Sequence, residues 1–233
     1  MKTIGLIGGM SWESTAEYYR ILNETVRDRL GGLHSAKILM VSVDFAEIEA
    51  MQVEGRWDDA GAALAQAAVQ LEAAGADCVL ICTNTMHKVA KTVDAATPLP
   101  LIHLADATAN RIFAVSESCP TIGILGTAFT MEQAFYKDRL ASHGIEVIVP
   151  ETADREIVHR VIYDELCVGV VREESRAEYE RIIASLIYQG AEGIVLGCTE
   201  IELLIDPDGE SAVPLYPTSR IHAEEAVAWA LAE

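Results

Sequence analysis

Two cysteines stand in the same short context at distant places in the chain. Cys82 lies in VLICTNTMHK (79–88) and Cys198 in IVLGCTEIEL (194–203), each at the end of an apolar run and each followed by threonine. Two like thiols on opposite sides of one ligand suit a particular task, the inversion of a stereocentre that carries a hydrogen. One group, as thiolate, removes the proton from one face; the other, as thiol, returns a proton to the opposite face. The reverse reaction exchanges their roles, so the two groups should be chemically alike. General acid–base assistance of this kind supplies about 10²–10⁴-fold. An α-hydrogen beside a carboxylate is very weakly acidic, so preorganised donors that stabilise an enediolate are needed as well. CTNT (82–85) and CTE (198–200) place hydroxyl and amide groups where the backbone leaves a sheet. Exposed N–H groups there would bind a carboxylate and lower a thiol's pKa from about 8.5. Thr83-Asn84-Thr85 can equally cap the helix that follows.

Other chemistries fit less well. Cys78-x3-Cys82-x4-His87 lacks the paired CxxC of structural zinc sites and has no second cluster to complete it, so no metal site is expected. A Cys–His hydrolase needs one thiol and an oriented imidazole. His87 and His103 lie near the first thiol motif, with no counterpart near the second. Cys78, Cys119 and Cys167 read as small buried hydrophobes, Cys167 among Ile162, Leu166 and Val170 on one helical face. GLIGGMS (5–11) has the spacing Gly-x-x-Gly-Gly and lacks the later acidic residue of a dinucleotide fingerprint. A Gly-rich turn at a helix N-terminus still offers N–H groups to an anion such as a carboxylate. GILGTAFT (123–130) repeats the form, with Thr127 as an added hydroxyl donor.

The elements that must carry these groups alternate. Apolar runs at 2–7, 37–43, 77–82, 100–103, 121–125, 145–149 and 193–197 read as strands. Amphipathic segments at 14–29, 57–73, 104–117, 131–142, 153–168, 175–189 and 219–231 read as helices, the first opened by a Ser14-Thr15-Ala16-Glu17 capping box. Continuously apolar strands separated by helices indicate parallel sheets covered on both faces. The chain also repeats itself. TIGLIGGMSWESTAEYYRIL from Thr3 matches TIGILGTAFTMEQAFYKDRL from Thr121 at an offset of 118. GADCVLICT and GAEGIVLGCT match with their cysteines 116 apart. The expected fold is α/β, two similar parallel-sheet domains related by pseudo-symmetry with the active site in the cleft between them. Prolines near 98 and between 205 and 219 place the boundaries at 1–98 plus 208–233 for the first domain and 99–207 for the second.

Composition narrows the class. A hydrophobic content of 51% in 233 residues suffices for a large core, and a net charge of −19 argues against nucleic acid. Apolar stretches are strand-sized, short of the ~18–20 residues of a membrane span. MKTIGLIGG lacks the features of a secretory signal. Five cysteines do not form a disulfide framework. A cytoplasmic protein with reduced thiols is expected, with no membrane or nucleic-acid partner.

At IGLIGGMSWEST..YY, CTNTMH and GCTEI the sequence resembles the aspartate/glutamate racemase superfamily, its amino-acid racemase branch closely, and nearly end to end. The resemblance implies a cofactor-independent amino-acid racemase, a homodimer, with Cys82 and Cys198 as its two acid/base residues. It implies that Thr83, Asn84 and Thr85 contact the substrate carboxylate or amino group and that Thr199 and Glu200 lie on the opposite wall. Gln52, in EIEAMQ, and Met10 would face the substrate from the first domain. Aspartate-preferring members are expected to hold the distal carboxylate with basic side chains near 44–52 and at the DELCVG helix end. Here no Lys or Arg occurs from Ile38 to Gly55, and Val168 stands where a lysine is expected, with Arg172 nearby. This favours broad specificity. A hydantoin racemase and a non-catalytic module binding small carboxylates are the alternatives.

Overall fold

The computed structural model describes residues 1–116 and 120–232; Cys119 and Glu117 lie outside the described residues. The chain divides into two compact units, Met1–Leu104 with His222–Glu233, and Ala105–Ile221.

In the first unit, β1 (Ile4–Gly8) lies between β2 (Ile38–Ser42) and β3 (Cys78–Ile81), all parallel. β1 and β3 are buried throughout, as continuous apolar runs in a two-sided sheet should be. One face is covered by α3 (Trp57–Ala74) and the short α4 (Ala90–Asp94), through Leu64, Ala68, Leu71 and Val93 packed on Ile7, Val79 and Ile81. α1 (Trp12–Leu30) and the C-terminal part of α10 (Thr218–Leu231) cover the other face. There Tyr18, Leu22, Ala226 and Val227 meet Leu6, Leu80 and Cys82. α1 begins at Trp12, earlier than the expected capping box. Ser11 is its N-cap and accepts from the Ser14 amide at 3.2 Å. α2 (Phe45–Val53), capped by Asp44, was not expected as a helix.

In the second unit the sheet order is β5 (Glu146–Ile148), β4 (Thr121–Gly126), β6 (Gly193–Gly197) and β7 (Leu215–Pro217), again all parallel. α5 (Leu104–Val115) leads in. α6 (Ala128–Glu132), α7 (Ala134–Ser142), α8 (Thr152–Asp164) and α9 (Glu173–Tyr188) complete the unit. The expected helix 131–142 is two helices, because Gln133 is extended at φ −82°, ψ 151°. The expected helix 153–168 ends at Asp164 and continues as a 3-10 turn, Leu166–Val168.

The two sheets repeat one plan. β2-β1-β3 matches β5-β4-β6, and each thiol-bearing strand has a further parallel neighbour, Val79 against Leu101 in one and Val195 against Tyr216 in the other. The expected boundaries are corrected by these fourth positions. Residues 99–104 belong to the first unit because Val79 bonds both Pro100 O and Ile102 N. Residues 208–221 belong to the second because β7 pairs with β6. Among the described residues no helix is long and apolar enough to cross a membrane.

Candidate functional site

Each thiol follows the carboxyl end of its strand, beside the Gly-rich end of the neighbouring strand, where open parallel sheets bind ligands. In the first unit Ile7 is paired with Ile81, and the Cys82 amide donates to Ile7 O at 3.0 Å. In the second, Gly126 is paired with Gly197, which brings Thr127 and Cys198 to adjacent strand ends.

The first-unit thiol sits in an apolar surround. Cys82 is fully buried, and burial pushes its pKa up. This reverses the expectation of a lowered value: the amides of Cys82 and Thr83 are already bonded to Ile7 O and Ile81 O, and among the described residues no cation counters the burial. The chain then turns through Thr83 and Asn84 into a 3-10 helix, Thr85–Val89. Two successive carbonyls of this turn are pinned. Ser14 Oγ donates to Cys82 O at 3.3 Å, and His87 Nδ1 lies 2.8 Å from Thr83 O. Asn84 and Thr85 are buried and Thr83 is half-buried. Gln52, buried on α2, donates from Nε2 to Met86 Sδ at 3.1 Å. Its Oε1 has no hydrogen-bond partner among the described residues. Met10 packs in the same apolar cluster as Met86.

The second-unit thiol has a charged partner. Cys198 is the N-cap of a 3-10 helix, Thr199–Leu203. Its sulfur donates to Glu200 Oε2 at 2.9 Å and accepts the Glu200 backbone N–H. Glu200 is buried, and Thr199 is half-buried. Burial first, then the Glu200 charge, hold the Cys198 pKa well above 9.0. Cys167 belongs to this neighbourhood and not to the core as expected. It is half-buried in the 3-10 turn Leu166–Val168, which packs against Thr199–Leu203, and it acts electrostatically on Cys198. Cys78, by contrast, is a core residue within β3, its pKa pushed up to about 12 by burial.

The Gly-rich turns are more self-satisfied than the sequence suggests. Gly9, at φ +92°, has room for no side chain, since a Cβ would stand 2.2 Å from Val43 O. Its amide donates to Thr15 Oγ1 at 2.8 Å. In the second copy Thr127 caps α6, accepting from the Thr130 amide at 3.4 Å, and the Ala128 amide donates to His159 Nδ1 at 3.1 Å. These amides are therefore not waiting for an anion. Arg172 lies 3.7 Å from the buried carboxylate of Glu165, which also accepts from Ser175 and Arg160. Val168 is exposed. Among the described residues no group of three or more His, Cys, Asp or Glu could hold a metal ion.

Two parallel α/β units thus carry a thiol at the equivalent strand end of each. The chain belongs to the Asp/Glu/Hydantoin racemase family, whose profile matches residues 7–226. A Yersinia pestis protein classed with the Asp/Glu racemases is 53% identical, with full coverage of both chains and a TM-score of 0.93. An aspartate racemase homologue from Pyrococcus horikoshii OT3 is 31% identical over 99% of each chain, with a TM-score of 0.86. The broad specificity amino-acid racemase RacX of Bacillus subtilis (strain 168) is 24% identical over 179 residues, which cover 75% of this chain and 74% of RacX.

Proposed function

We propose that the chain is a cofactor-independent amino-acid racemase that moves a proton at the substrate Cα by two-base 1,1-transfer, with Cys82 and Cys198 as the bases. The observation that carries this reading is the equivalence of the two thiols at the ends of β3 and β6 in two sheets of one plan. Membership of a racemase family supports it. The mechanism requires the thiols to address opposite faces of the same Cα.

Cys198 and Glu200 act as one base carrying a single negative charge. As the sulfur takes the α-proton, its own proton passes to the Glu200 carboxylate, so a thiolate and a carboxylate never stand side by side. Cys82, a neutral thiol in an apolar surround, delivers its proton to the other face and becomes the thiolate. One proton enters the Cys198–Glu200 pair and one leaves Cys82. The resulting form is the one that accepts the opposite enantiomer, and proton exchange with solvent restores the first.

The orphaned Oε1 of Gln52 is an acceptor suited to the substrate ammonium, because a buried acceptor without a partner is costly until a donor arrives. Thr83, Asn84 and Thr85, with Thr199 opposite, supply donors to the α-carboxylate, and Met10 and Thr127 complete the walls. Broad specificity is supported by the absence of Lys and Arg from 38–55, by exposed Val168, and by the pairing of Arg172 with Glu165. RacX, described as a broad specificity amino-acid racemase, points the same way.

The test is chiral chromatography of single-enantiomer amino acids incubated with the chain, with and without prior iodoacetamide. Racemisation abolished by alkylation is expected. No racemisation of any amino acid, or full activity after mass spectrometry has shown Cys82 or Cys198 to be alkylated, would refute the reading.

A further inference from the structure

The mechanism above makes no use of the first unit's imidazoles, although three of them stand together. His87 is 3% exposed and His222 fully buried. The His87 ring centroid lies 4.7 Å from that of His103 and 5.6 Å from that of His222.

The hydrogen-bond partners fix the tautomers, because a carbonyl only accepts and a backbone amide only donates. His87 Nδ1 faces Thr83 O at 2.8 Å, so Nδ1 carries the hydrogen. The Leu104 amide donates to His87 Nε2 at 3.2 Å, so Nε2 carries the lone pair. His222 is the reverse: Nε2–H donates to Ile102 O at 2.7 Å, and the Tyr18 hydroxyl donates to Nδ1 at 2.9 Å. Both rings are neutral. Burial and the neighbouring imidazoles hold the His87 pKa well below 6.5 and bring that of His222 down to about 4.

The positions of these partners along the chain give the cluster its meaning. Thr83 directly follows Cys82. Ile102 and Leu104 lie at the point where the chain leaves the first unit, and His222 is the first residue after its return. One cluster therefore holds the Cys82 turn and the first-unit ends of both crossings.

We infer that His87 is a positioning residue of the proposed racemase site, its Nδ1–H fixing the Thr83 carbonyl and so the donor face of the Thr83–Thr85 turn, and its Nε2 tying that turn to the segment by which the chain leaves the unit. The kinetic consequence rests on the racemase reading; the tautomer assignment does not. No other neutral side chain offers a donor and an acceptor at opposite corners of a rigid ring. An asparagine amide reaches only where Nδ1 stands, and a glutamine amide only where Nε2 stands.

These two replacements therefore separate the two bonds. His87→Asn keeps the link to Thr83 and loses that to Leu104, whereas His87→Gln does the opposite. Leaving the Thr83 carbonyl unsatisfied in His87→Gln should raise KM about tenfold, with kcat changed less than about threefold. His87→Asn should hold KM within about threefold of the native value, a rescue that a merely structural role would not produce. The native chain supplies a readout independent of activity. In ¹⁵N-histidine NMR at about pH 7, where unperturbed imidazole is largely neutral, His87 should show a protonated Nδ1 and a bare Nε2, and His222 the reverse. A protonated His87, the opposite tautomer, or the same KM in both variants would overturn the inference. Correct tautomers in a chain that racemises no amino acid would instead refute the racemase reading and leave the anchor standing.

Discussion

Replacing Glu200 by glutamine removes a proton acceptor but leaves a hydrogen-bond acceptor, so it isolates what the carboxylate does for Cys198. In the native chain the thiol donates to Glu200 Oε2 at 2.9 Å, the bond along which the proposed proton transfer runs. In Glu200→Gln the thiol must ionise to solvent before it can act as a base. Burial, the leading cause of its raised pKa, remains, while the Glu200 charge and the hydrogen bond to its carboxylate, which also raise it, are lost. Even an ordinary thiol, with a pKa of about 8.5, costs about 2 kcal/mol to ionise at pH 7, and burial raises the cost further. At pH 7, kcat should therefore fall about thirtyfold or more. It should then climb about tenfold per pH unit toward the thiol's pKa, a rise the native profile lacks. Because enantiomers have equal free energy, kcat/KM must fall by the same factor in both directions. The assay is chiral chromatography from each pure enantiomer between about pH 6.5 and 9.5. A variant within about threefold of native at pH 7, with an unchanged pH profile, would refute the shared-proton pair.

The remaining expectations concern stability, specificity and cofactors. His222 faces His87, His103 and Tyr18, and its pKa is lowered from 6.5 to about 4. Between those values the unfolded chain binds the proton and the native chain does not. Stability is therefore full above 6.5 and is lost as pH falls toward 4, by roughly 3 kcal/mol for this group. Urea unfolding should show that loss in the native chain and a smaller one in His222→Gln; equal acid sensitivity would contradict the assignment. Specificity constants for aspartate and homoserine should lie within about a hundredfold, the worth of one charge-assisted hydrogen bond. A preference for aspartate above about a thousandfold would reveal a cation holding the distal carboxylate. Activity should survive dialysis against a chelator without added pyridoxal phosphate; loss on dialysis and return with zinc would contradict the two-thiol apparatus.

The central strands were legible because a strand covered on both faces must be apolar at every position. β1, β4 and β6 are such runs, and their repetition at nearly constant offset exposed both the two-unit plan and the paired thiols. The fourth position was legible in the first sheet only. The run 100–103 reads as a strand, of which Leu101 makes a single bridge, whereas β7 is three residues long with Pro217 opposite Leu196, so partner register and not local pattern creates it. α2 was missed although Asp44 and Glu47 form a capping signal, because its apolar positions merge with the strand before it. Within the site, the Cys198–Glu200 bond spans two residues and could have been suspected from GCTE. The imidazole cluster could not, since residues 87, 103 and 222 meet only through tertiary folding.

The most direct test of the two-thiol claim follows α-proton exchange from each enantiomer in D2O, using Cys82→Ser, Cys198→Ser and the native chain. Mass spectrometry of the recovered amino acid reports deuterium at Cα, and chiral chromatography reports its configuration. The native chain should yield deuterated product of inverted configuration from either enantiomer. Each serine variant should lose racemisation, and any exchange it retains should be confined to one enantiomer, the opposite one for the other variant. Racemisation at a near-native rate by either variant, or retained exchange from the same enantiomer in both, would contradict the assignment of Cys82 and Cys198 to opposite faces of the substrate.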